Sequence, residues 1–335
     1  MKLSEIGEFG LIARVRKSWP ASSPQVFAAI GDDAAVSSLL PGNDLVSTTD
    51  LLIEDVHFDL SWISPFQLGR KSLAVNLSDL AAMGAVPRWV LTCLAVPSRL
   101  SVEFIDDFFS GMKSMGETHG VSLIGGDTSS SPDRLFIGVT LLGEGKKETL
   151  LYRRGARPGD DLYVTGTLGD SLLGLHLAKI LKGKPPSEEE KFLLQRHLDP
   201  IPRLEAGKTL AERKIARAMI DLSDGLLSDL KHICEESRVG AVVRADQVPL
   251  SPALRSLAPG GPGEAWKWAL RGGEDYELLF SVPPERSSDL RALAKEWSCG
   301  VTRIGSIQPL AHGLVVRDES GPVDPAALMG YDHFA

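Results

Sequence analysis

Aspartates recur along this 335-residue chain beside glycine or a hydroxyl residue, at the ends of predicted strands. They stand in Gly31-Asp32-Asp33, Thr48-Thr49-Asp50, Gly125-Gly126-Asp127-Thr128, Asp221-Leu222-Ser223-Asp224-Gly225 and Gly272-Gly273-Glu274-Asp275. Asp79 adds an acid inside an otherwise apolar helical segment, where aspartate is a poor helix former. Ser72, Asn76 and Asp79 follow i, i+4, i+7 spacing and share one polar stripe. Each strand-end motif taken alone reads more readily as a turn than as a site, because Asp and Gly are common turn residues. The Asp79 stripe is equally readable as a solvated face. Taken together, converging carboxylates cannot all stay ionised without a compensating cation. Hard carboxylate and hydroxyl oxygens suit magnesium, which keeps waters and binds substrate phosphates. The chemistry implied is phosphoryl transfer or a related ATP-using step.

The elements that must position these acids read as alternating strands and helices. Asp44 to Asp50 is a β-branched strand ending on an acid. Pro65 to Met83 reads as a helix stopped by Gly84 and Pro87, and Trp89 to Val96 as a strand ended by Pro97. Ser101 caps a helix with an apolar stripe of Phe104, Ile105, Phe108, Met112 and Met115, ending at Gly120. Strands follow at Val121 to Ile124 and Leu135 to Leu142. The polar stretch Gly143 to Glu148 reads as a domain linker, giving domains 1–147 and 148–335. Beyond it come a strand at Asp161 to Thr165, a helix at Ser171 to Leu181 and a loop at Lys182 to Pro186. Ser187-Glu188-Glu189-Glu190 is a capping box. A strand at Ala218 to Leu222 leads to a helix beginning near Gly225. Trp266 to Leu270 ends a helix, and Tyr276 to Val282 is a strand. The chain closes with a helix at Leu290 to Trp297 and strands at Thr302 to Ile307 and Leu314 to Arg317. The fold class is α/β, in an α+β two-domain arrangement.

Bulk properties remove other classes. A formal charge of -8 disfavours nonspecific nucleic-acid binding. The apolar run from Leu73 to Pro97 is broken by Asp79, Pro87 and Arg88, so it is no membrane span. Met1 to Glu5 lacks the apolar core of a signal peptide. Cys93, Cys234 and Cys299 are odd in number and far apart, which fits a reducing cytoplasm and argues against a zinc site. Gly207-Lys208-Thr209 imitates the end of a P-loop, but Pro202 occupies the place of its first glycine and the surroundings look helical.

The ordered set GDDAAV (31–36), TTDLLIEDVHF (48–58), KSLAVNLSDLAAMGA (71–85), IGGDTS (124–129), GDDLYVTGTLGDS (159–171), IDLSDGL (220–226), GGEDYELLF (272–280) and GYDHF (330–334) resembles thiamine-monophosphate kinase nearly end to end. The resemblance implies the fold of aminoimidazole ribonucleotide synthetase, with an N-terminal α/β domain and a larger C-terminal one. It implies a homodimer joined through the N-terminal sheets, with ATP and thiamine monophosphate as substrates and several Mg2+ ions. It gives Asp33, Thr48, Thr49, Asp50, Asp79, Asp127, Asp221 and Asp224 as magnesium ligands. Gly126, Asp127, Arg153 and Ser223 resemble ATP contacts, and His57, Glu274 and Tyr331 resemble contacts to the thiamine phosphate. Asp79, Asp127 and Arg153 would carry the catalysis. Two positions depart from the pattern: Asp55 stands where the family places a small residue, usually glycine, and Arg153 is followed by a second arginine, Arg154. Sister ATP-using enzymes of the fold are the alternative, of the ring-closing or selenophosphate synthetase type. So is a nucleotide-binding module without catalysis. A reactive cysteine in a glycine-rich N-terminal segment would mark the selenophosphate type, and no cysteine here has that setting.

Overall fold

The structure is a computed structural model, and it describes residues 3–20, 23–30, 35–181, 184–324, 328 and 330. The candidate residues Asp33 and Tyr331 lie outside the described residues. The chain divides into two compact units. The first comprises residues 1–80 and 85–148, and the second residues 81–84 and 149–335.

In the first unit, helix α1 (Leu3–Ser18) precedes a small ribbon of β1 (Val26–Ala28) and β2 (Val36–Ser37). Then come β3 (Asn43–Ile53), α2 (Pro65–Ala82), β4 (Val86–Pro97), α3 (Val102–His119), β5 (Ser122–Ser131) and β6 (Phe136–Lys146). The four long strands form one sheet in the order β3-β6-β4-β5. Ser101 caps α3 as its sequence predicts, and Gly120 ends it in the left-handed region at φ 70°. Leu68, Leu73, Leu77 and Leu80 of α2 are fully buried, as are Phe108 and Met112 of α3. The two helices touch backbone to backbone. A Cβ on Gly69 would lie 1.9 Å from the Phe108 carbonyl oxygen, and one on Gly111 1.9 Å from that of Phe66. The Ser72–Asn76–Asp79 stripe belongs to this packed side: Ser72 and Asn76 are buried and bond back along the helix, which excludes the solvated-face reading.

Gly143 to Lys146 is not linker but the end of β6. Glu144 explains the difference: it is fully buried, takes an ion pair from Arg88 at 2.6 Å and accepts the Leu40 N–H at 2.9 Å. Burial works against its charge, yet these donors hold its pKa below the ordinary value. A polar composition therefore concealed a buried ion pair.

The second unit runs β7 (Asp161–Thr165), α4 (Asp170–Leu181), α5 (Glu188–Leu198), α6 (Leu204–Glu212), β8 (Ala218–Asp221), α7 (Leu226–Ser237), β9 (Val239–Arg244), α8 (Pro252–Leu257), α9 (Ala265–Arg271), β10 (Leu278–Val282), α10 (Ser287–Leu293), β11 (Val301–Pro309), β12 (Leu314–Asp318) and β13 (Gly321–Val323). Its seven strands order as β13-β12-β9-β11-β7-β10-β8. Both faces of the central strands are covered. Leu162, Val164 and Leu279 pack with α7 and α9, whereas Tyr163, Met219 and Phe280 pack with α6 and α10. The capping box at Ser187 forms as predicted, with both reciprocal bonds present. The last predicted helix is displaced: α10 starts at Ser287, after a short turn at Pro284, and ends at Leu293. The residues around Gly207 are helical, in α6, which confirms that no P-loop is present there.

One buried ion cluster braces this unit. Glu277, immediately before β10, is fully buried. It pairs with Arg196 at 2.8 Å and Arg203 at 2.5 Å, and accepts the Thr165 hydroxyl at 2.6 Å. Removing the carboxylate would take the shared partner from two largely covered guanidinium groups, leaving Arg196 with Asp170 at 3.6 Å. Glu277→Ala is expected to cost about 3–5 kcal/mol, read as a lowered midpoint of urea unfolding at constant m-value. A midpoint unchanged within error would remove Glu277 from the bracing role.

Candidate functional site

Sheet periodicity decides which first-unit acids meet. Side chains alternate across a strand, so Thr48 and Asp50 share one face of β3 while Thr49 and Leu51 share the other. On the covered face the Thr48 hydroxyl donates to Asp79 Oδ2 at 2.5 Å, which joins the middle of β3 to α2. Burial first, and then the charge of Asp79, push Asp50 up from 3.8 to about 7. Two carboxylates and a hydroxyl thus converge, with repulsion that a hard cation would relieve. Thr49 does not join them. Its hydroxyl donates to the Val139 carbonyl at 3.0 Å and lies 3.1 Å from the Thr140 hydroxyl, on the opposite face.

Asp127 also stands apart from that pair. Cross-strand register aligns Leu51, Gly138, Cys93 and Asp127 in one row, and Asp50, Val139, Thr92 and Gly126 in the next. Cys93, Leu51 and Asp127 are exposed, so Asp127 belongs to the open face. A Cβ on Gly126 would lie 2.0 Å from the Thr92 carbonyl oxygen, so glycine there permits the close pairing of β5 with β4.

His57 occupies the turn after β3. Its Nδ1 accepts the Ile53 N–H at 3.0 Å, which in the neutral ring leaves the proton on Nε2. The departure at Asp55 has a physical answer. Asp55 adopts φ 65°, the left-handed conformation that favours glycine, and its carboxylate pairs with Arg134. The neighbouring Glu54 is buried beneath Arg99 at 2.5 Å and accepts the Leu135 N–H at 2.8 Å. The turn geometry is therefore kept without glycine. Asp55→Ala is expected to be less stable than Asp55→Gly by about 1 kcal/mol, measured by urea unfolding; equal stability would show that the positive φ carries no strain.

In the second unit, two loops carry the candidates, and the backbone zips them together. β8 and β10 are adjacent, and their pairing continues beyond the strands. Leu222 N–H donates to the Glu277 carbonyl at 2.9 Å, Tyr276 N–H to that of Leu222 at 2.9 Å, and Glu274 N–H to that of Ser223 at 2.8 Å. Glu274 and Tyr276 hold φ 60° and 50°, so this loop is strained at two non-glycine positions. Asp221 is buried at the strand end, and Asp224 is half-buried in the loop that opens α7. Asp229, which nothing in the motif pattern signals, accepts the N–H groups of Asp224 at 3.2 Å and Gly225 at 3.1 Å. Burial and the charge of Asp224 push it up to about 7, offset in part by Arg153. Asp229 thus feels the charge of Arg153, whereas Arg154 stacks over the Tyr152 ring at 4.5 Å. Ser237 fixes this segment, donating to the Arg153 carbonyl at 3.1 Å and accepting the N–H groups of Gly155 and Ala156.

Asp275, which stands in the motif pattern, proves to be a brace, and His197 escaped the pattern altogether. Asp275 is buried and accepts the N–H groups of Gly169 at 2.6 Å and Ser171 at 3.1 Å, at the start of α4. His197 is buried beside Glu274, with Nδ1 3.2 Å from Oε2. Among the described residues, no three His, Cys, Asp or Glu side chains are grouped to hold a metal ion. The candidate ligands are instead divided between the units, with Asp33 outside the described residues. Asp160, outside the ligand set that the family resemblance implies, is buried against Arg217 at 2.7 Å.

Burial raises Asp275 from 3.8 to about 7. The folded chain then binds this proton more tightly than the unfolded chain does. The stability tied to Asp275 is therefore greatest below 3.8 and falls as pH rises through about 7. Asp275→Asn should flatten the fall in unfolding free energy between those values. A slope matching that of the unaltered protein would contradict the assignment.

Comparisons place this geometry among known proteins. The family model AIR synthase related protein, N-terminal domain, matches residues 31–144, and its C-terminal counterpart matches residues 157–316. Thiamine-monophosphate kinase of Haemophilus influenzae is 40% identical over 332 residues, covering 98% of each chain. The crystal structure of thiamine-monophosphate kinase from Stenotrophomonas maltophilia K279a superposes with a TM-score of 0.84 at 39% identity, covering 95% of this chain and 98% of that one. AaThiL, solved in complex with AMPPCP and TMP, gives a TM-score of 0.76 at 34% identity, covering 100% of this chain and 99% of that one. With two AIR synthase related domains and full-length identity at this level, the chain belongs to the thiamine-monophosphate kinase family.

Proposed function

We propose that this chain transfers the γ-phosphoryl group of ATP directly, in line, to thiamine monophosphate, giving ADP and thiamine diphosphate. The observation that carries the reading is the end-to-end likeness to a relative solved with AMPPCP and TMP. The paired acids described above add a physical reason for it.

The acceptor is itself a phosphate and already anionic at neutral pH, so no strong general base is required. The obstacle is repulsion between two anions. Arg153, whose charge reaches Asp229, would meet that repulsion from the protein's side, whereas Arg154 stacks over Tyr152. Gly126, Asp127 and Ser223 would contact ATP with it. His57 would offer Nε2–H to the acceptor phosphate, Glu274 would accept hydrogen bonds from the aminopyrimidine, and Tyr331 would face the cationic thiazolium. Hard-oxygen donors fit magnesium: Thr48, Asp50 and Asp79 on the covered face of the first sheet, Thr49 and Asp127 on its open face, Asp221 and Asp224 in the second unit, and Asp33. Bound there, magnesium would offset charge on the transferring phosphoryl oxygens.

Residues 1–147 would form the domain for ATP, magnesium and dimerisation, and residues 148–335 the C-terminal domain of the aminoimidazole ribonucleotide synthetase type. A homodimer through the first sheet is favoured by its open face, where Leu45 and Leu51 are exposed beside Thr49 and Cys93. None of the helices among the described residues is long and apolar enough to cross a membrane. The three free cysteines accord with the reducing cytoplasm as its compartment.

The direct assay is incubation with ATP, Mg2+ and thiamine monophosphate, with thiamine diphosphate as the expected product; its absence while ATP binds would favour a sister enzyme. Asp79→Asn is expected to lower kcat by about 100-fold or more and to raise the magnesium requirement. Arg153→Ala should cost a similar factor and Arg154→Ala less than about threefold. The reverse order for the two arginines would exchange their roles.

A further inference from the structure

His197 ends α5, and its side chain is only 4% exposed. It is fixed from behind. The α4–α5 contact is close enough that a Cβ on Gly174 would meet the Leu193 carbonyl oxygen at 2.1 Å and His197 Cβ at 3.0 Å. The ring therefore cannot retreat toward α4. Its Nδ1 lies 3.1 Å from Ser171 Oγ and 3.2 Å from Glu274 Oε2. Ser171 is fixed in turn, because its backbone N–H is held by Asp275, the residue after Glu274. A closed circuit results: Glu274 to His197, His197 to Ser171, Ser171 to Asp275.

Glu274 differs from every other member of that circuit. Its side chain is 29% exposed, while His197, Ser171 and Asp275 are buried. Its backbone sits at φ 60° and is bonded to Ser223. The circuit thus ends on one accessible carboxylate. A glutamate left to itself would lose rotamer freedom on ordering; a buried donor at Oε2 removes most of that cost before any ligand arrives.

We propose that His197 is a positioning residue that orients the Glu274 carboxylate for the amino-substituted heterocycle of the phosphate acceptor, so that it governs acceptor affinity and not the transfer step. The proposal rests on the reading of Glu274 as an acceptor contact. In the tautomer with the proton on Nδ1, Glu274 Oε2 accepts it at 3.2 Å and Ser171 Oγ, 3.1 Å from the same nitrogen, is its second acceptor.

The test is steady-state kinetics of the full chain, with thiamine monophosphate and ATP varied separately. His197→Ala should raise KM for thiamine monophosphate by about tenfold, with kcat and KM for ATP within about twofold. His197→Asn, whose amide nitrogen can replace Nδ1, should recover most of that loss. Ser171→Ala should shift the same KM in the same direction by less, and serves should His197→Ala fail to fold. In a Glu274→Gln background, His197→Ala should add nothing. If Glu274→Gln raises KM for the acceptor while His197→Ala, His197→Asn and Ser171→Ala leave it unchanged, the positioning role is overturned. Equal loss in His197→Ala and His197→Asn, or parallel change in both KM values, would overturn it as well. An unchanged acceptor KM in Glu274→Gln would overturn the substrate role of Glu274, and the proposal with it.

Discussion

Carboxylates of like charge, held together by a fold that gains nothing from their proximity, set the terms for this molecule. Asp50 and Asp79 meet on the covered face of one sheet. Asp224 and Asp229 meet at the start of α7 in the other unit. In each pair one member is driven up to about 7, with burial the larger cause and the neighbouring acid the second. A structure selected for stability alone would separate such groups or neutralise one. Their retention makes sense where a cation and a polyphosphate complete the charge balance.

Holding them in place requires rigid surroundings, and the two units supply these differently. In the first, the acids sit on regular elements: Asp50 is mid-strand, and Asp79 is in the last turn of α2, after the buried Asn76. In the second, they sit on loops, and backbone bonds between residues 222–223 and 274–277 lock the loops to each other. Glu277 then fixes the end of that zipper to Arg196, Arg203 and Thr165. Positive φ at Glu274 and Tyr276 is the conformational cost of turning the chain so sharply between the zipper bonds.

Much of this was legible in the sequence, and the rest was hidden for physical reasons. Motif spacing located Asp50, Asp79, Asp221 and Asp224, although β3 runs on past Asp50 to Ile53 and does not end on the acid. The strand rule could also have separated Thr49 from Thr48, since neighbours in a strand face opposite sides. Asp229, Asp275, Glu277 and His197 were not legible as braces, because their roles depend on partners far off in sequence. Gly143 to Lys146 misled for the same reason: the partner that turns Glu144 from a surface charge into a buried one is Arg88.

The central claim is that the Asp50–Asp79 pair is kept for a bound cation. It is tested most directly by thermal unfolding of the unaltered protein and Asp50→Asn, each with and without Mg2+. The account predicts that Asp50→Asn melts higher than the unaltered chain without Mg2+, because a repulsion is gone, and loses most of the stabilisation that Mg2+ confers. A lower melting temperature in the variant, with the Mg2+ stabilisation intact, would contradict it.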